Sequence, residues 1–281
     1  MFIVVLGAGD VGGAVAQQIG ARHLGAPVVI VDSRRGVAEG KALDLRQSAP
    51  VDRSSPDIRG TDDHAVLNQA ALVVIADEAT AHPNDLPTDA VFPRLLRIAQ
   101  HVAQSAVLVA TPDAELVIAR AVTECGIAPG RIVGSAPEAL RGALRALIAD
   151  EARCRPDEVA AAILGRAPAS LIVPWEGCSI GGRCATDVLT PPAIRRIEQR
   201  LPSLWPPGPQ ALGRAAAKVA ESLFRNDGEL VCVQVALVRG VTGTGQPAIL
   251  PATLGRQGIR AVRVPTLTGR DQTRLDSVIS A

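Results

Sequence analysis

The chain has 281 residues, enough for two domains of ordinary size and a sizeable core. With 47% hydrophobic and 20% charged residues it has globular composition, which excludes a largely disordered protein. Lys and Arg number 29 and Asp and Glu 28, so the formal charge of +1 gives no field to draw in nucleic acid or an anionic membrane.

Short apolar runs alternate with helix-length amphipathic segments through the first half. Phe2–Leu6, Val28–Val31, Leu72–Ile75 and Val107–Val109 read as buried strands, with Arg131–Val133 as a further short one. Between them Val11–Gly20, Gly36–Gln47 and Ala90–Gln104 read as helices, so the pattern is that of an α/β fold around a doubly wound parallel sheet. Ser135, Pro137 and Glu138 start another helix, with Leu140, Leu144, Leu147 and Ile148 on one apolar face. From about residue 150 the character changes. Apolar pieces at Val159–Leu164 and Leu171–Val173 precede a helix at Pro191–Arg200 and a connection at Pro202–Pro209. A helix over Gln210–Phe224, strand-like runs at Leu230–Val238 and Ile259–Val264 and a helical tail complete a smaller α+β unit. The expected division is 1–137 and 138–281.

Five cysteines (Cys125, Cys154, Cys178, Cys184 and Cys232) form no CxxC pair and have no histidine nearby, which excludes a zinc site and fits a reduced, cytoplasmic compartment. The run Phe2–Leu6 is too short for the core of a signal peptide, and no apolar run nears the ~20 residues of a membrane span.

Gly7-Ala8-Gly9-Asp10-Val11-Gly12 follows an apolar strand and opens a helix, the context in which a GxGxxG sequence holds a dinucleotide. Gly7 permits the tight turn, Gly9 lets backbone approach a pyrophosphate, Gly12 lets helix and strand pack closely, and the helix start supplies free N–H groups. Asp32 ends the second strand twenty residues after Gly12, where a carboxylate takes the ribose hydroxyls of NAD. Ser33, Arg34 and Arg35 follow at once and keep the 2′-phosphate of NADP open as the less favoured alternative. Ser170 and Ser179 lack a GxSxG elbow and Gly240–Gly245 lacks a following helix, so neither a hydrolase nor a second phosphate loop is indicated. Arg195, Arg196 and Arg200 form the wet face of an amphipathic helix.

Val4–Gly12, Val31–Leu45 (VDSRRGVAEGKALDL), Gly60–His64, Ser179–Gly182 and Leu250–Ile259 together resemble the malate/lactate dehydrogenase family, nearly end to end. That resemblance implies a Rossmann domain, a second α/β domain, and hydride transfer to a 2-oxo acid with a His–Asp proton relay. By alignment the cofactor contacts fall on Gly7, Gly9, Asp10, Val11, Gly12, Asp32, Ala76 and Thr111.

The chain departs from the family at the chemistry. The family's Gly-Gly-His-Gly segment reads Gly165-Arg166-Ala167-Pro168, and His23, His64, His82 and His101 all lie far upstream. The relay Asp and a substrate Arg align to Leu140 and Ala143. In the substrate loop, Ala79–Asp89, the two arginine positions hold Ala81 and Pro87, and the stretch from Asp77 to Asp89 is acidic, with Asp77, Glu78, Asp85 and Asp89 and no Lys or Arg. Asp77 and Glu78 stand where small residues pass the cofactor phosphates, and Ala110-Thr111-Pro112 replaces Ser-Asn-Pro. The expectation is an NAD(H)-binding pseudoenzyme with no catalytic residue and no metal, working as a homo-oligomeric dimer or tetramer or beside an active paralogue. The alternative is an active NAD(P)-dependent oxidoreductase on a small hydroxy or oxo acid, with Arg166 or Arg94 as anion clamp; Arg145 is a further cation at the expected cleft.

Overall fold

The computed structural model describes residues 2–79, 91–102, 105–239 and 243–280, with the side chains of 91, 93, 94, 237–239 and 243–245 excepted. The substrate-loop positions from residue 80 to 89, His82 and the Arg94 side chain therefore lie outside the description. Six parallel strands form the first part of one sheet: β1 (Phe2–Leu6), β2 (Val28–Val31), β3 (Ile58–Thr61), β4 (Ala70–Ile75), β5 (Ala106–Val109) and β6 (Ile132–Gly134), in the order 3-2-1-4-5-6. This is the doubly wound dinucleotide-binding order, reversing between β1 and β4.

Both faces of β1, β2, β4, β5 and β6 are covered, which is why they read as unbroken aliphatic runs. Ile3, Val5, Val28, Ile30, Leu72 and Val74 face one cluster with α1 (Asp10–Ala21), α2 (Arg35–Ser48) and α8 (Pro209–Arg225). Val4, Leu6, Val29, Val31, Val73 and Ile75 face another, with α3 (Val91–Ile98) and α4 (Ala114–Glu124).

The second half extends the same sheet. β12 (Leu230–Arg239) runs antiparallel to β6 with Gln234 opposite Gly134, and β13 (Gly243–Gly255), β8 (Leu164–Arg166), β9 (Ser170–Ile172) and β14 (Gly258–Val262) follow. In the β12–β13 pairing Arg239 lies opposite Gly243. The apolar piece Val159–Leu164 divides between β8 and β7 (Val159–Ala160), the latter in a separate three-stranded sheet with β10 (Ser179–Ile180) and β11 (Arg183–Cys184). The helix α5 (Ala136–Ala152) buries Leu140, Leu144, Leu147 and Ile148 in a third cluster, joined by α7 (Pro191–Arg200). The remaining helices are α6 (Ala185–Val188) and α9 (Gly269–Ser280). No described helix is long and apolar enough to cross a membrane.

Candidate functional site

The topology sets the site. β1 and β4 are neighbours in register, Leu6 opposite Ile75, so the turns that leave their carboxyl ends meet at the reversal point. Gly7 makes the first turn with φ +113°, a left-handed conformation that favours glycine, while its N–H donates to the Val31 carbonyl at 2.7 Å. Gly12 lies so close to this turn that a Cβ there would run into the Gly7 carbonyl oxygen. The Ala76 N–H donates to the Leu6 carbonyl at 2.9 Å, bringing the second turn alongside. Gly7, Gly9, Val11, Gly12, Asp32 and Ala76 are thereby brought together, with Asp10 exposed on the first turn of α1.

Asp77 closes this arrangement. Its backbone carbonyl accepts the Gly9 N–H at 3.0 Å. Its carboxylate accepts the Gly12 N–H at 2.8 Å and the Val11 N–H at 3.2 Å. The helix α1 has no capping side chain of its own, since its N-cap is Gly9. Asp77 therefore supplies from the turn after β4 the capping acceptor and negative charge that a helix start prefers, a contact of about 0.5–2 kcal/mol for side chains of this kind. A Cβ on Gly9 would collide with the same carboxylate, so the approach Gly9 permits is taken by Asp77.

Asp32 is 1% exposed and also committed. One oxygen accepts the Ala8 N–H at 2.8 Å and the Ala79 N–H at 3.2 Å, the other the Arg34 N–H at 3.0 Å. The carboxylate predicted for ribose thus ties the glycine turn to residue 79. Thr111, just beyond β5, is 7% exposed, and its hydroxyl has no hydrogen-bond partner. In this conformation the N–H groups of Gly9, Val11 and Gly12 at the start of α1 are taken by Asp77.

At the positions aligned to the relay there is no proton-transfer pair. Leu140 is 1% exposed and packs in the apolar cluster. Ala167 and Pro168 sit in the turn of the β8–β9 hairpin, closed by the pairing of Arg166 with Ser170. The Arg166 guanidinium Nε lies 2.7 Å from Glu115 Oε1 on α4. Burial pushes the Glu115 carboxyl up, and Arg166 opposes that shift. Arg145 donates to the Pro156 and Val159 carbonyls at 2.7–3.1 Å, bracing α5 rather than facing an open cleft. Of the described histidines, His64 Nδ1 lies 3.2 Å from the Asp62 carbonyl and His101 Nδ1 lies 2.9 Å from Asn68 Oδ1, both at exposed positions, while His23 follows α1 with φ +48°. Among the described residues no His, Cys, Asp and Glu cluster could hold a metal.

The residue whose role sequence reasoning missed is Asp77. Its charge was visible, but the reach of its carboxylate to Val11 and Gly12 follows only from the β1–β4 pairing. Glu115 gave no signal at all, since nothing local marks it as the partner of a residue 51 positions on.

Residues 1–123 match the family model of the lactate/malate dehydrogenase NAD binding domain. The malate dehydrogenase of Cytophaga hutchinsonii is 25% identical over 300 residues, 99% of this chain and 94% of the relative. In fold, the malate dehydrogenase of Salinibacter ruber superposes with a TM-score of 0.84 at 22% identity, covering 100% of this chain and 94% of its own. So does the lactate dehydrogenase of Cryptosporidium parvum complexed with lactic acid and nicotinamide adenine dinucleotide, with 0.84, 22%, 99% and 94%.

Proposed function

We propose that this chain, which belongs to the malate/lactate dehydrogenase family, is a pseudoenzyme of that family: it keeps the NAD-type scaffold and has given up hydride exchange between a nicotinamide and a 2-oxo acid. One observation carries the reading. Where the family resemblance puts the Asp–His relay and the substrate Arg, this molecule has Leu140 in an apolar core, an Ala167–Pro168 turn and Ala143, and the nearby Arg166 is paired with Glu115.

Hydride delivery to a carbonyl needs a proton at the developing alkoxide. A positioned acid contributes about 10²–10⁴ in rate, and its orienting carboxylate is absent as well. The cation that an alternative mechanism would use as an anion clamp, Arg166, already has a carboxylate at 2.7 Å. Loss of chemistry on an intact, well-packed framework points to a role in assembly, as a homo-oligomer or beside an active paralogue. Leu43 on α2 and Val51 just after it, 46% and 86% exposed, give that framework an apolar surface.

The test is steady-state assay of the purified full chain with NADH and NADPH against oxaloacetate and pyruvate, and with NAD against malate and lactate. The expected result is no rate above the protein-free blank. Sustained turnover that Arg166→Ala abolishes would replace this reading with that of a modified oxidoreductase.

A further inference from the structure

We propose that residues 77–79 are a built-in occupant of the dinucleotide cleft, with the Asp77 carboxylate seated on the N–H groups of α1 in the place of a cofactor phosphate. The identification of the cleft rests on the family reading above; the occupancy rests on this chain's own contacts.

Four hydrogen bonds hold the segment down. The Gly9 N–H donates to the Asp77 carbonyl, the Val11 and Gly12 N–H groups to the Asp77 carboxylate, and the Ala79 N–H to Asp32. The two anchors are the two elements a dinucleotide uses: the helix start that takes the pyrophosphate and the carboxylate that takes the ribose. One acidic side chain therefore satisfies the helix dipole, fills the space beside Gly9 and places a negative charge where an incoming phosphate would have to go. A ligand can enter only by displacing the carboxylate and lifting the segment off Asp32. The consequence is a cleft closed by its own chain, which opens to phosphate-bearing nucleotides when the charge at position 77 is removed.

The experiment is calorimetric titration of NADH, and of ADP-ribose as a probe lacking the nicotinamide, into the wild-type chain and into Asp77→Ala and Asp77→Asn, each checked for folding by circular dichroism. Asp77→Ala is expected to bind both ligands at least about tenfold more tightly than wild type, a factor worth about 1.4 kcal/mol. Asp77→Asn keeps the shape without the charge and is expected to bind more tightly than wild type as well. Equal affinity in wild type and the folded variants overturns the proposal. Amide exchange on ligand-free protein gives a check independent of any nucleotide. Val11 and Gly12 are expected to be protected in wild type and to lose protection in Asp77→Ala, and rapid exchange of both in wild type would equally overturn it. Turnover measured alongside separates the two claims: a variant that binds NADH and reduces oxaloacetate would remove the pseudoenzyme reading while leaving the occupied cleft intact.

Discussion

The Arg166 guanidinium and the Glu115 carboxylate, 2.7 Å apart with side chains only 24% and 29% exposed, neutralise each other beside the Ala167–Pro168 turn. Removing one partner of such a pair leaves the other desolvated and alone. Arg166→Ala is expected to destabilise the chain by about 1–3 kcal/mol in urea unfolding. The loss should grow with pH. The folded-state carboxyl of Glu115 is raised by burial, so the stability linked to its protonation is present at acid pH and lost as pH rises through the raised value; without Arg166 the rise is larger. A loss equal at mildly acidic and neutral pH would refute this account of the pair.

A second buried pair fixes α5 to β12. Glu138 and Arg141 are bonded to each other with side chains 10% and 15% exposed, and the other Glu138 oxygen accepts the Cys232 N–H at 2.9 Å. Burial raises the Glu138 carboxyl against the opposing pull of Arg141, so the unpaired carboxylate would be costly at neutral pH. Arg141→Met is expected to cost about 3–5 kcal/mol, whereas the double change Glu138→Leu with Arg141→Met should recover most of it. Chemical denaturation of Arg141→Met, Glu138→Leu and the double variant decides, and an additive double mutant would show that the two groups do not act as a pair.

The packing of α8 on α1 gives a steric prediction. A Cβ on Gly213 would lie 2.5 Å from the Ala14 Cβ and 2.8 Å from its carbonyl carbon, with backbone rather than a flexible side chain in the way. Gly213→Ala should therefore destabilise by about 1–3 kcal/mol despite the better helix propensity of alanine. A raised melting temperature in that variant would mean that the two helices are less closely seated.

Much of this was legible in the sequence, for identifiable reasons. The strands β1, β2, β4 and β5 are aliphatic on both faces and so stand out, and the stripe from Leu140 to Ile148 has the 3.6-residue period of a half-buried helix. By contrast β3 has only the sequence Ile58-Arg-Gly-Thr61 and a single buried side chain, as suits an edge strand. The helix α4, Ala114–Glu124, starts just after Pro112 with no side-chain cap hydrogen bond, and the segment expected to be helical over Ala90–Gln104 has its helix at Val91–Ile98. At the site, the glycine turn was readable because its spacing is local. The bonds from Asp77 to Gly12, 65 residues apart, and from Arg166 to Glu115 belong to the tertiary fold and leave no trace in any window of sequence.

The most direct test of the central claim is transfer of label. NADH deuterated at the transferable position is incubated with oxaloacetate and either wild type or Asp77→Ala, and malate is examined by mass spectrometry. The account predicts no deuterated malate above the protein-free control from either protein, because opening the cleft does not restore a proton donor. Enzyme-dependent deuterated malate from wild type, or from the variant once it binds NADH, would contradict it.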